Sequence, residues 1–139
     1  MAANTQQIFP LTPNIGKARI SAANTARDGS GSNVTQVYTA GGNGDILFRF
    51  TVTESDATAS STSVAQVIRF FVYDGTNYRL YKELLMPSVA GTTSALSGTV
   101  NYQIPGGMYL PSGSFIYATA TLASGTTGQV DIVIEGESY

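Results

Sequence analysis

The chain has 139 residues, of which 42% are hydrophobic and only 12% charged, and its formal net charge is −2. The absence of His, Cys and Trp excludes imidazole- and thiolate-bound metal centres, histidine-dependent catalytic triads, cysteine nucleophiles and disulfides. Seven Lys and Arg against nine Asp and Glu leave no basic excess for a nucleic-acid backbone, so we expect no nucleic-acid partner.

The composition favours strands over helices. Val, Ile, Thr, Tyr and Phe are plentiful, and 17 Thr, 14 Ser and 15 Gly supply most of the hydrophilic surface. The opening residues carry no cationic and apolar export signal, and no run of 18 apolar residues occurs. We therefore expect one all-β domain with no membrane segment and no cleaved leader.

The first 14 residues predict an extended N-terminal arm that precedes a domain over residues 15–139. Pro10 and Pro13 fix their own φ angles and favour extended conformations in the residues before them. The arm carries an apolar set, and a disordered terminus or a short edge strand is the alternative reading. We predict that this set docks against a partner, within or between subunits: Ile8, Phe9, Pro10 and Leu11.

Short apolar segments separated by turn-forming clusters follow the arm. Residues 64–73 are apolar on both faces apart from Gln66 and Arg69, which is typical of a central strand. Pro105 to Gly107 predicts a turn before a short strand. We predict eight or nine strands, over 15–21, 33–40, 46–53, 64–73, 78–86, 98–104, 108–110, 114–122 and 129–135. This spacing indicates a single β-sandwich or jelly-roll-like domain, with an immunoglobulin-like sandwich left open.

Alternation along the strands predicts which side chains face the core. One face of the third strand carries Ile46, Phe48, Phe50 and Val52. The inward face of the last strand carries Val130, Ile132 and Ile134.

Asp74-Gly75-Thr76-Asn77 predicts a hairpin between residues 64–73 and 78–86. Across this hairpin Arg69 and Glu83 are placed to form a cross-strand ion pair on a solvated face. Because Arg and Tyr are enriched at interfaces, the same region is also a candidate subunit interface. Its residues are Arg69, Tyr78, Arg79 and Tyr81.

The carboxylates give weak candidates for chemistry. Glu54, Asp56 and Glu83 are the best pairings for a glycoside hydrolase, but their spacing does not favour one. The loop from Asp28 to Asn33 alternates oxygen ligands, yet one Asp is too little charge for a calcium loop. We expect no enzymatic activity, no metal and no cofactor.

Several segments together resemble a known family: IFPLTPNIGKARISAANTARDGSG, VYTAGGNGDI, RFFVYDGTNYRLYKEL, LPSGSFIYATA and DIVIEGESY. They are similar to small tailed-bacteriophage proteins found among virion structural genes. The resemblance covers nearly the whole chain, and the N-terminal block and the YDGTNYRL hairpin are its most specific parts.

The resemblance implies a virion accessory protein, and among these it fits a capsid decoration or cement protein best. Such proteins are often jelly rolls or sandwiches that sit as trimers on the capsid and clamp neighbouring capsomers. We therefore expect a homotrimer on the capsid surface of the virion, made in the host cytoplasm, with the major capsid protein as partner. The alternative is a tail, baseplate or head-fibre component in which Tyr78, Tyr81 and Tyr109 contact a receptor or glycan.

Overall fold

A computed structural model describes residues 12–55, 65–88, 98–121 and 129–139. In these ranges the chain forms eight strands and no helix, as the all-β prediction requires. The strands are β1 (Thr12–Ile20), β2 (Thr35–Thr39), β3 (Asp45–Glu54), β4 (Gln66–Tyr73), β5 (Tyr78–Met86), β6 (Thr99–Leu110), β7 (Phe115–Ala120) and β8 (Val130–Ser138).

The strands form two antiparallel sheets of four. Sheet A has the order β1-β8-β3-β6, and sheet B has the order β2-β7-β4-β5. Strand pairs are nested along the chain: the hairpin of β4 and β5 is enclosed by the pair β3 and β6, then by β2 and β7, and finally by β1 and β8. This nested order is jelly-roll-like and differs from an immunoglobulin-like sandwich.

Side chains from both sheets interlock in one core. The Phe50 ring of sheet A lies 4.8 Å from the Phe70 ring of sheet B, centroid to centroid. Ile132 and Ile134 of β8 are fully buried between the sheets, as the alternation predicted. Burial of each such side chain contributes about 1.5–3 kcal/mol, so this core provides the rigid body on which the surfaces are displayed.

The start of the first strand differs from the prediction. β1 begins at Thr12 rather than residue 15, and Thr12 to Asn14 pair with β8 through Ser138 to Gly136. Residues 12–14 therefore belong to the sandwich and not to the arm. β5 has the predicted bounds, and β4 lies between β7 and β5 as expected of a central strand.

The predicted turn at Pro105 to Gly107 is wrong, because these residues lie within the single strand β6. Leu47 is paired with Met108 and Arg49 with Gln103, so four residues of β6 bulge opposite Phe48. A bulge of this kind inserts residues without ending the strand.

A second bulge, in β3 itself, overturns the predicted face of this strand: Leu47 pairs with Gly136 of β8 and Arg49 with Glu135, so Phe48 is an extra residue there. Leu47 is fully buried, whereas Phe48 is 36% exposed, and Phe50 and Val52 point inward as predicted. The bulge inverts the alternation between Leu47 and Phe50. A register shift in β2 has a similar effect, since both Val37 and Tyr38 are buried.

Candidate interaction surface

The residues predicted at a subunit interface are Arg69, Tyr78, Arg79 and Tyr81. Arg69 and Tyr78 lie on the face of sheet B that points away from sheet A. There Arg69 is paired with Glu83, and Tyr78 with Tyr73. Tyr81 points the other way, with its ring 6.0 Å from that of Phe50. Arg79 is paired with Val72, which packs on the core, so Arg79 lies exposed on that inner side. Two of the four residues, Arg69 and Tyr78, therefore share the outer side of sheet B.

A cluster of five aromatic side chains covers part of this outer side of sheet B, and we call it the aromatic face: Phe71, Tyr73, Tyr78, Phe115 and Tyr117. Ring centroids lie 4.5 Å apart for Tyr73 and Tyr78, and 5.5 Å apart for Tyr73 and Tyr117. Tyr78 and Tyr117 meet edge to face, 5.2 Å apart with their planes at 90°. Phe71 is fully buried and the other four are half-buried.

Strand pairing explains why these rings meet. Tyr73 lies between Tyr78 of β5 and Phe115 of β7 in one cross-strand row, and Phe71 is paired with Tyr117 in the next. Aromatic cross-strand neighbours stabilise a sheet and favour tilted or edge-to-face contacts. Burial raises the pKa of the Tyr78 phenol, and the neighbouring Tyr117 and Tyr73 add to this rise.

Sequence reasoning missed most of this cluster. The hairpin predicted that β4 and β5 are neighbours, but the pairing of β4 with β7 joins strands that are far apart along the chain. The available signal was the alternation along each strand. Phe71 and Tyr73, like Phe115 and Tyr117, are two positions apart, and the residue between the members of each pair is apolar and faces the core. Without the strand order, this alternation does not show which strands are neighbours on the outer side of the sheet.

The loop between β1 and β2 lies over another part of the outer side of sheet B. Asn24 N donates to Ala120 O of β7 at 2.8 Å, and Arg69 Nη1 of β4 donates to Thr25 O at 2.9 Å. At Gly29, with φ +74°, an added Cβ would lie 2.5 Å from Tyr78 Cβ. Because only a glycine fits there, the loop closes directly against one edge of the aromatic face.

Arg69 joins this loop to the sheet and is not a surface residue. It is 6% exposed, and its Nε donates to Glu83 Oε1 at 2.7 Å, which confirms the predicted cross-strand pair. Arg27 Nε of the loop lies 3.6 Å from the same oxygen. The hydrogen bond from Arg69 lowers the pKa of Glu83, and the charges of Arg27 and Arg69 add to this effect. Arg69 therefore holds the loop in place, and little of its side chain reaches the surface.

The outer side of sheet A has a different character. Arg49 forms a two-pronged pair with Glu135 through bonds of 2.8 and 2.7 Å, and Arg19 pairs with Asp131 at 2.7 and 3.0 Å. Threonines continue the polar pattern, with Thr51 Oγ1 donating to Asn101 Oδ1 at 2.8 Å. Paired charges and hydroxyl groups therefore cover much of this surface, and Ile15 of β1 is the large apolar side chain most exposed on it, at 60%. The contrast singles out sheet B as the side suited to a protein contact.

A buried carboxylate closes the end of the sandwich where the chain enters β1. Asp45 is fully buried, and its Oδ2 accepts from Asn14 Nδ2 at 2.7 Å and from Tyr38 Oη at 2.6 Å. Its Oδ1 accepts from Gly41 N at 2.9 Å. Burial alone would raise the pKa of Asp45, but the hydrogen bonds from Tyr38, Asn14, Gly41 and Ser138 outweigh it and lower the pKa. Burial and this carboxylate together raise the pKa of Tyr38.

The carboxylates considered for hydrolysis do not form a site among the described residues. Glu54 is buried at the end of β3 in sheet A, while Glu83 lies on β5 in sheet B and pairs with Arg69. Asp56 lies outside the described residues. In the loop considered for calcium, Asp28 Oδ1 accepts from Ser30 N at 3.0 Å and so caps its own turn.

The predicted docking residues Ile8, Phe9, Pro10 and Leu11 lie outside the described residues. The structure fixes the point from which they extend, because β1 begins at Thr12 beside Ser138.

Comparison of the sequence with protein-family models and with curated proteins gives no match. Within the part of the chain that the structure describes, no group of three acidic side chains is placed to hold a metal ion. The same part contains no helix long and apolar enough to cross a membrane.

Proposed function

We propose that this protein is a non-enzymatic structural protein of a phage virion, a decoration protein that binds the outer capsid as a homotrimer and stabilises it. The observation that carries the proposal is the aromatic face of sheet B. Half-buried tyrosines displayed on a rigid sheet are typical of protein contact surfaces, where aromatic side chains are enriched and charges depleted.

The fold supports this proposal without deciding it, since one fold serves many functions. Eight-stranded jelly rolls recur in capsid and lectin domains. The two sides of this sandwich also suit a coat protein, because sheet A presents paired charges and threonines to solvent while sheet B presents aromatic rings. The sequence resemblance to small virion proteins adds the phage context.

Repetition explains how modest contacts would suffice. A capsid presents many copies of one site, and three linked domains bind such a lattice far more tightly than one, because the later contacts are intramolecular. In this proposal Ile8 to Leu11 and the aromatic face provide the contacts that assemble the coat, and the partner is the major capsid protein.

The test is co-sedimentation of the purified chain with capsids assembled without it. We expect saturable binding and capsids that survive higher temperature once coated. The double variant Tyr78→Ser and Tyr117→Ser should lose at least ten-fold in apparent affinity, whereas Tyr109→Ser, an exposed tyrosine on sheet A, should bind normally. No sedimentation of the full chain with capsids would overturn the proposal.

The arm needs a truncation that respects the observed strand. Removal of residues 1–14 would also delete Thr12 to Asn14, which pair with β8, and Asn14 holds Asp45. Removal of residues 1–11 leaves these contacts in place. We expect that shorter truncation to weaken capsid binding sharply while the domain stays folded, and unchanged binding would exclude the arm.

The second candidate is a tail, baseplate or head-fibre component that binds a glycan, and the aromatic face also favours it because flat rings stack on sugars. Of the tyrosines predicted for this role, Tyr78 lies on that face, Tyr81 points inward and Tyr109 lies on β6. Micromolar binding on a glycan array, lost in Tyr78→Ser but kept in Tyr109→Ser, would favour this function. An array without signal would leave the capsid proposal ahead.

A further inference from the structure

The arm joins the sandwich at the end where the aromatic face begins. Asn14 Nδ2 contacts Thr39 O of β2 at 3.3 Å as well as Asp45, which ties the first strand of sheet A to the edge of sheet B. From Thr39, one cross-strand row continues through Phe115 and Tyr73 to Tyr78. Thr12, the first residue of β1, therefore stands two positions from a contact with this row.

The arm and the face are chemically matched. Ile8, Phe9 and Leu11 are apolar, and Pro10 lies among them. Extended segments with a proline dock well on surfaces lined with aromatic rings, because their backbone is already ordered and the proline packs flat on a ring. The outer side of sheet A offers ion pairs such as Arg49 with Glu135 instead. Among the described surfaces, the aromatic face is the better match for this segment.

The docking residues stand next to the sandwich along the chain. Leu11 directly precedes Thr12, and Ile8 is four positions from it, which corresponds to roughly 13 Å of extended chain. Pro10 suits the second position of a β-turn, so the sequence is compatible with an arm that reaches its own aromatic face or that of a neighbour. The homotrimer of the proposed function favours the neighbour.

We propose that Ile8 to Leu11 of one copy dock on the aromatic face of a neighbouring copy. Each copy gives an arm to one neighbour and receives an arm from another, so the contact is head to tail and a ring closes it. The arm contact itself does not depend on capsid binding. That three copies close the ring rests on the proposed function.

A head-to-tail contact can be tested by complementation, with no capsid present. One variant lacks residues 1–11 and keeps the face; the other carries Tyr78→Ser and Tyr117→Ser and keeps the arm. We expect each variant alone to have the mass of a single chain, at or just below the 14.6 kDa of the full sequence, by light scattering on a sizing column. An equimolar mixture should give a complex of about twice that mass, while Tyr109→Ser should assemble like the unaltered chain. Retained assembly of the truncated chain, or no complex in the mixture, would overturn the proposal.

A second measurement does not depend on altering the folded face. The chain has no Trp, so Phe9→Trp gives a single tryptophan reporter within the arm. We expect blue-shifted emission at high concentration that moves to the emission of exposed tryptophan on dilution. Emission that stays blue-shifted in the single chain would show docking on its own face, and emission that is never blue-shifted would show no docking; either result contradicts the proposal.

These outcomes separate this contact from the capsid function. Failure of complementation together with normal capsid binding would overturn the arm contact and leave the decoration role standing. Successful complementation without capsid binding would support the arm contact and overturn the decoration role.

Discussion

Asn14 Nδ2 donates a 2.7 Å hydrogen bond to Asp45 Oδ2, which fixes the start of β1 to the buried carboxylate that begins β3. Tyr38 Oη donates to the same oxygen at 2.6 Å. One carboxylate thus links β1, β2 and β3 at the end of the sandwich from which the arm extends.

Replacement of Asp45 by Asn should be costly. The amide would place an NH₂ group among donors from Asn14, Tyr38 and Gly41, so one buried donor loses its acceptor. We expect the free energy of unfolding in urea to fall by about 2–3 kcal/mol. The matched control is Asp131→Asn in the exposed pair with Arg19, which should cost less than about 1 kcal/mol. Equal losses would show that the buried hydrogen bonds of Asp45 stabilise the fold no more than the exposed Arg19–Asp131 pair does.

The pH dependence of stability follows from the same carboxylate. The pKa of Asp45 is lower in the folded chain than in the unfolded chain, so its stabilisation is fully present above the ordinary pKa of about 3.9 and is lost as the pH falls below it. The pKa values of Glu83, Asp131 and Glu135 are also lowered by their arginine partners and act in the same direction. We expect the melting temperature to fall in acid, and the gap between the unaltered chain and Asp45→Asn to narrow below pH 4. A constant gap would contradict this.

Glu83→Ala should destabilise the chain more than Glu135→Ala, although both remove the partner of an arginine. Arg69 is buried beside Glu83, whereas Arg49 beside Glu135 is nearly half-exposed and can be rehydrated. An unpaired buried guanidinium costs far more than an exposed one. Thermal unfolding should show a loss of several degrees for Glu83→Ala and little change for Glu135→Ala. The reverse order would mean that Arg69 does not hold the loop.

The bulge in β6 offers a pair of adjacent glycines for comparison. Both have positive φ, +75° for Gly106 and +78° for Gly107, but an added Cβ meets open space at Gly106 and lies 2.5 Å from Ile46 Cγ2 at Gly107. We expect Gly106→Ala to cost about 1 kcal/mol from backbone strain and Gly107→Ala about 3 kcal/mol once overpacking is added. Urea unfolding of both variants measures the difference in the free energy of unfolding. Similar losses would argue against the close packing of Gly107 on Ile46 in the bulge.

The sequence predicted local features well. Composition and alternation gave the all-β class, the exact bounds of β5 and the inward face of β8 at Ile132 and Ile134. Each of these depends on residues that are neighbours along the chain. The Arg69–Glu83 pair was predicted as well, but the hairpin turn alone does not set its register. Phe71 pairs with Leu80 and Phe70 with Lys82, so Tyr81 is an extra residue of β5, and this shift places Glu83 opposite Arg69.

Features that depend on distant segments were not predictable. The bulge opposite Phe48 exists because Leu47 and Arg49 pair with residues of β6 more than 50 positions away, so neither strand reveals it alone. The aromatic face needs the pairing of β4 with β7. Arg69 looked like a surface residue because the loop that covers it comes from before β2. In each case the side that a residue faces is decided by non-local pairing.

The central claim is that this protein works by assembly through its aromatic face, and the native mass of the full chain tests it most directly. Light scattering on a sizing column over a range of concentrations should give about three times 14.6 kDa, with single chains appearing on dilution. A mass of one chain at every concentration would contradict the account.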